Sequence, residues 1–344
     1  MKPTELIERY AAGETVFSGL RLPGVNLVGA DLIGVVLKEA DLHGANLLFA
    51  YLNRANLAQA NLVGANLSGA SLSQSDLSGA DLRSANLHGV ILQGANLRDT
   101  DITLAILQDA NLVGADLRGS NLSGANLTGA CLRSTNMRQG KKGYNTNLQV
   151  ANLYKADLQG SNMTRVDLAR ANLSRANLRE VNLQDADLHK ADLSYANLKG
   201  AILTDANLVG TKLVGANLTG ANLIRAKMMD AEVIGANFQN AIMTHVMMSR
   251  ANFSQSDFSS ARISHGDLSR TNLARCNFTD ADLVEALFAR ANLTGANMTN
   301  ANLMRSELMS ANLTGVDLKG ATMPDGRINS WKSSSSQNDH TRRR

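Results

Sequence analysis

Few residues in this 344-residue chain have types and spacings that could do chemistry. His245 and His265 stand twenty residues apart, with Arg225 twenty before them and Glu285 twenty after. Two imidazoles and a carboxylate are metal-ligand types. The flanking arginine and the lack of a further ligand favour a solvated column, and no metal or cofactor is expected. Cys131 and Cys276 fall at different positions of the pattern described below, one outward and one inward. Neither a disulfide nor a thiolate metal pair is expected of them. Arg250, Arg270 and Arg290 share one spacing, with Arg170 and Lys190 further back. Stacked cations suit phosphates or acidic partners. Asp167, Asp187 and Asp267 accompany them and offset much of that charge. A basic segment, Arg138, Lys141, Lys142 and Tyr144, is interspersed with Gly140 and Gly143. It has no phosphate-loop or dinucleotide fingerprint. It reads as a candidate contact loop or as a tolerated defect in an array. Finally, Ile224, Met229, Ile234, Ile242 and Met247 occupy outward positions and form a candidate protein interface, with Leu48, Phe49 and Tyr51 as a second apolar cluster. No set resembles a catalytic constellation in a pocket, so the chain reads as a non-enzyme.

The elements that carry these residues follow from a periodicity of five. From Ala30 the chain reads ADLIG, VVLKE, ADLHG, ANLLF, AYLNR, ANLAQ. A large apolar residue recurs at the third place, as in Leu32, Leu37, Leu42 and Leu47, and a small residue sits two before it. Such centres run from Phe17 to Met137 and resume, shifted by one, from Leu148 to Met323. The only departures from Ala, Ser, Thr or Val at the small position are Leu20, Gly266 and Cys276. A period of five fits neither a helix nor an unbroken strand. It fits a short extended triplet and a corner. In the triplet the first and third side chains point one way and the second points the other. Ala and Leu therefore face inward and Asn or Asp faces outward, where it can bond the turn backbone. One triplet cannot bury its own face, but stacked coils can.

This A-(D/N)-L-x-x pattern resembles the pentapeptide-repeat family over nearly the whole chain, and with the ELIERYAAGE opening it is similar to cyanobacterial members. The resemblance implies an all-β, right-handed quadrilateral parallel β-helix of about 15 coils, roughly 70 Å long. Phe238, Phe258 and Phe278 are centres spaced by one such coil and are expected to stack in the core. Some family members bind DNA gyrase as DNA mimics, which requires a strongly acidic surface and a C-terminal dimer contact. This chain has a formal net charge of +4. Much of that excess lies after residue 323, in Arg327, Lys332, Arg342, Arg343 and Arg344 against Asp325 and Asp339. The body is nearly neutral, which argues against both DNA mimicry and extended nucleic-acid binding.

The organisation read from the sequence is a helical cap over 1–14, with Thr4 as candidate N-cap and Leu6, Ile7 and Tyr10 as its apolar face. A first array spans 15–139, and a break spans 140–145, read as a one-residue excess. A second array spans 146–323, and a disordered basic tail spans 324–344, in which Trp331 could fold over the last coil. No apolar leader or membrane-length run is present, so a cytoplasmic location is expected. The expected function is a non-catalytic protein-binding scaffold or regulator with an unidentified protein partner. The alternatives are a gyrase or topoisomerase interactor and nucleic-acid binding through the tail.

Overall fold

A computed structural model of the protein describes residues 2–139 and 143–330. Helix α1, Pro3–Ala11, opens the chain. Pro3 fits the first turn because its missing N–H has no intrahelical acceptor there. Lys2, not Thr4, is the N-cap, and it makes no side-chain capping bond. Leu6 is fully buried against the first coil, and the Tyr10 hydroxyl donates to the Ile33 carbonyl at 2.7 Å. Ile7 is 41% exposed and does not join that face.

From Val16 onward each pentapeptide supplies one bridged residue between two turns. Residues pair in parallel with those twenty further on, as in Asn152 with Asn172 and Asn172 with Asp192. Four pentapeptides therefore complete a turn, and the rod has four sides. The first runs through Asn56 and Asn162, the second through Asn61 and Asp167, the third through Asn66 and Asn172, and the fourth through Ser71 and Asn177. The expected short strands shrink to single paired residues because two of every five residues are spent on the corner. The backbone is still satisfied. Leu173 N–H donates to Asp192 at 2.7 Å, Asn172 N–H to Ala151 at 2.9 Å, and Ala176 N–H to Leu173 at 3.0 Å.

The inward Ala and Leu positions form one continuous core, almost all of it fully buried. Phe238, Phe258 and Phe278 stack as expected, with centroids 4.9 Å apart at both steps. The outward Asn or Asp bonds its own corner, as Asn172 Oδ1 accepts from the Ser174 N–H at 3.1 Å. Many also ladder between coils, as Asn172 Nδ2 donates to Asn152 Oδ1 at 3.0 Å. The fifth residue of each unit is left-handed, whether glycine (Gly124, φ 66°) or not (Arg270, φ 58°). Gly266 has another cause. A Cβ there would stand 2.9 Å from the Ile263 carbonyl and 3.0 Å from its Cγ2. The branched Ile263 takes the space that an inward alanine methyl fills elsewhere.

The break corrects the sequence reading. Asn121 pairs with Asn147 and Asn136 with Asn162, a register of 26 where 20 is regular. Asn136 and Asn147 thus serve consecutive sides, and the excess is six residues rather than one. A shift of one and a shift of one plus a whole unit look alike in a five-residue phase. The regular bond from Gly119 N–H to the next coil is lost here, and Thr146 replaces it. Its Oγ1 accepts from Gly119 N–H at 3.1 Å and donates to the Leu117 carbonyl at 2.9 Å. Asn136 Oδ1 is left buried without a partner.

At the far end, residues 324–330, assigned from sequence to a disordered tail, fold back on the last coil. Thr322 pairs antiparallel with Ile328, and Asn329 N–H donates to Ala321 at 2.8 Å. Leu308, Ala311, Val316 and Leu318, inward by pattern, are only partly buried. Trp331 and the remainder of the tail lie outside the described residues. No helix among the described residues is long and apolar enough to cross a membrane.

Candidate functional site

The rod interior offers no reactive group set. Most of its buried hydroxyls are tied to neighbouring carbonyls, as Ser75 donates to Leu72 at 2.7 Å and Thr211 to Leu208 at 2.8 Å, while Ser306 Oγ near the last coil has no partner. Cys276 is inward as expected, and burial pushes its thiol up to about 12. It is therefore not a nucleophile at neutral pH. Cys131 is outward and half-exposed, and both cysteines are free. Any binding surface must be built from outward and corner residues.

The corner column after the first side holds the histidines. His245 and His265 stack at 4.8 Å, and His265 Nδ1 lies 3.1 Å from Glu285, which also meets Arg305 at 3.2 Å. Further along, Arg225 is paired with Asp205 at 2.6 Å. No group of three or more metal-ligating side chains occurs among the described residues. The arginine column lies at the next corner. Arg250 is paired with Asp230 at 2.7 Å, which removes one cation from the row. The shared hydrogen bonds raise the Arg250 guanidinium and lower the Asp230 carboxyl from their usual ranges.

The five-residue apolar set does not form one patch. By register, Ile242 lies on the first side and Met247 on the second. Ile224, Met229 and Ile234 lie at the corners after the first, second and third sides. All but Met247 are half-buried. Sequence adjacency misleads here, because the set spans six consecutive units and four already wind around the whole rod. The second cluster is more compact. Phe49 and Tyr51 are 60% and 53% exposed, at neighbouring positions of one corner and side. The Phe49 ring covers Gly69 in the next coil.

The basic segment is where the surface departs from flatness. Arg138 and Tyr144 are exposed, while Lys141 and Lys142 lie outside the described residues. Arg118, Arg138, Gln139, Asn162, Thr164, Arg165, Gln184 and Asp185 line a groove of about 570 Å³ along the first side. Arg118 belongs to a column the sequence reading missed, Arg98, Arg118 and Arg138, which has the same spacing of twenty as the histidine and arginine columns read from the sequence. Asp116 serves two of its members, accepting from Arg98 Nε at 2.6 Å and Arg118 Nη2 at 2.7 Å. Burial pushes the Asp116 carboxyl up, but hydrogen bonds from Arg118 and Arg98 outweigh it and hold the group below its usual range. Arg138 has no such carboxylate among the described residues. The bridged residues beside it, Asn136 and Asn162, are neutral. Arg165 reaches Asp185 at 3.7 Å and Gln139 Oε1 at 3.5 Å, and Gln139 Nε2 donates to the Gly143 carbonyl at 2.7 Å.

The repeat pattern is matched by a known family. The family model for pentapeptide repeats matches from residue 14 to residue 323, with gaps only at 48–49 and 140–143. The second gap falls at the insertion. The uncharacterized protein slr1819 of Synechocystis is 67% identical over 41 residues, a stretch covering 12% of this chain and 12% of that protein. Among solved structures, the chain is similar to HetL from Nostoc sp. strain PCC 7120, a pentapeptide repeat protein involved in heterocyst differentiation regulation. Identity is 27%, over 96% of this chain and 100% of that one, with a TM-score of 0.19. It is also similar to Rfr23 from Cyanothece 51142, at 27% identity over 46% of this chain and 93% of that one, with a TM-score of 0.20.

Proposed function

The chain belongs to the pentapeptide-repeat family, and on that premise we propose that it is a non-catalytic scaffold that binds another protein on its outer surface. The scaffold is a right-handed rod of about 15 coils. One observation carries this reading. The single interruption of the array among the described residues, the six-residue insertion after Met137, opens a groove lined by three arginines on an otherwise regular side. Inserted loops on rigid scaffolds are where contacts concentrate. The apolar set of Ile224, Met229, Ile234, Ile242 and Met247 is a weaker candidate, because it is divided among several sides.

Deleting residues 139–144 tests this reading. The deletion would join Arg138 to Asn145, put Thr146 at a regular inward position and restore the register of twenty. The shortened rod is expected to fold and melt like the parent and to lose the proteins that the parent captures from a native lysate of its source. Equal capture by the two rods would move the contact surface away from the groove.

A further inference from the structure

The geometry points to the chemistry of the partner: we infer that the groove beside the insertion receives an acidic polypeptide segment, read through carboxylates by Arg138 and Arg165. This inference rests on the scaffold reading above and gives its partner a class.

The groove lining holds three guanidinium groups, from Arg118, Arg138 and Arg165, against one carboxylate, Asp185. Arg118 is committed. Its side chain is 15% exposed and bonds Asp116 through both Nε and Nη2. It fixes the floor of the groove. Arg165 has a loose partner at 3.7 Å, a distance that leaves its donors available. Arg138 is exposed and has no ion pair or side-chain hydrogen bond among the described residues. Elsewhere on the rod some corner arginines find a carboxylate one coil away, as Arg225 does in Asp205 and Arg250 in Asp230, while Arg270 and Arg290 stand on other corners without an ion pair among the described residues. The column of Arg98 and Arg118 has Asp116. At the level of Arg138 the column continues without a carboxylate. A guanidinium fork presents two parallel donors that match one carboxylate.

The flanking groups suit a peptide. Gln139, Asn162, Thr164 and Gln184 line the same groove and supply neutral donors and acceptors for a main chain. Nucleic acid requires cations repeated along a long track. Next to this groove the bridged positions of the first side are neutral or acidic, such as Asp76, Asn96, Asn182 and Asn222, and the next bridged cation on that side is Arg262, five coils beyond Asn162. A short acidic segment matches a local excess of positive charge, whereas a duplex does not.

The test uses the full chain and a fluorescein-labelled hexaglutamate peptide, followed by anisotropy at low salt. Arg138→Gln is expected to weaken binding about five- to tenfold, and Arg138→Lys less, since it keeps the charge and loses the fork. Arg270→Gln, on another corner, is expected to leave binding unchanged. Equal weakening by Arg138→Gln and Arg270→Gln would reduce the effect to general charge and overturn the inference. Tighter binding of a duplex oligonucleotide at the same site would overturn it in favour of nucleic acid. If the 139–144 deletion abolishes protein capture while the parent ignores hexaglutamate, the scaffold reading stands and the acidic partner falls. If the deletion changes neither, both fall.

Discussion

The two arrays on either side of the insertion solve the same geometric problem with different residues. In residues 15–139 the left-handed corner is most often glycine, as at Gly64, Gly69, Gly114, Gly119, Gly124 and Gly129. Over 236–294 no corner is glycine, and the position is filled by Asn240, His245, Arg250, Gln255, Arg270, Arg275 and Glu285 among others, all at positive φ. A non-glycine residue there costs about 1 kcal/mol per corner. The second array accepts that cost and gains side chains that pair vertically, such as Arg250 with Asp230. Its core also differs. The first array is built almost wholly on Leu, while the second packs Phe238, Phe253, Phe258, Phe278 and Phe288 with several methionines. The difference teaches that the coil needs only a large inward residue and a tolerated corner, so surface chemistry can vary without changing the fold.

The largest expected effect comes from breaking the core of the second array. Leu173 is fully buried, and Leu173→Asp would place a carboxylate with no partner among apolar coils. A loss of several kcal/mol is expected, with a lower melting temperature and reduced circular dichroism. The Cys276 thiol, pushed up to about 12 by burial, serves as a second readout. It should resist thiol reagents in the parent and label quickly if the second array opens. Unchanged melting and unchanged Cys276 labelling would show that neighbouring coils do not depend on one another.

Next in size is the junction between the arrays. Thr146→Val keeps the shape but removes the oxygen that accepts from Gly119 N–H. A loss of about 1–3 kcal/mol is expected on denaturant unfolding. The inward glycine sharpens the packing comparison. Gly266→Ala should cost about 1–3 kcal/mol, and Ile263→Leu should recover part of it, because the clash is with Ile263. Strictly additive effects of the two substitutions would reject that coupling.

The corner contrast itself predicts smaller changes of opposite sign. Gly89→Ala meets no atom within 4 Å, so only the left-handed cost of about 1 kcal/mol is expected. Arg270→Gly should stabilise the rod by up to about 1 kcal/mol. The smallest effect is the acid response at Asp116. Its folded carboxyl is held below the usual range, so the unfolded chain binds the proton more readily. Its contribution is fully present above the ordinary carboxylate range near pH 4 and is lost as pH falls through the lower folded value. Stability measured from pH 6 to pH 2 should therefore fall less steeply in Asp116→Asn than in the parent.

Much of this was legible before any coordinates. Leu173 inward, Asn172 outward, Cys276 buried and the Phe238, Phe258 and Phe278 stack all follow from the five-residue phase and a coil of twenty. The N-cap was misread because Thr4 has a favoured side chain, whereas Pro3 starts the helix and puts the N-cap at Lys2, two residues earlier. The apolar set around Met229 and Met247 was read as one cluster, whereas the register divides it into Ile224 with Ile242 at the first side, Met229 with Met247 at the second, and Ile234 after the third. The arginine column through Arg98, Arg118 and Arg138 carried the same signal at spacing twenty as the histidine column and was legible in the sequence, but its groove was not, because Arg165 joins it only through the register of 26.

The sequence by itself determined which side chains enter the core, because alternation within a triplet is local stereochemistry and each unit repeats it. The same alternation sends the Asn and Asp side chains of the triplets outward. Only the tertiary structure decided how many extra residues separate the two arrays after Met137. A five-residue phase cannot separate one extra residue from six, and the inter-coil pairing of Asn136 with Asn162 and Asn121 with Asn147 does. The same pairing places Arg118, Arg138 and Arg165, distant along the chain, around one groove. That placement depends on hydrogen bonds between coils, which no local pattern specifies.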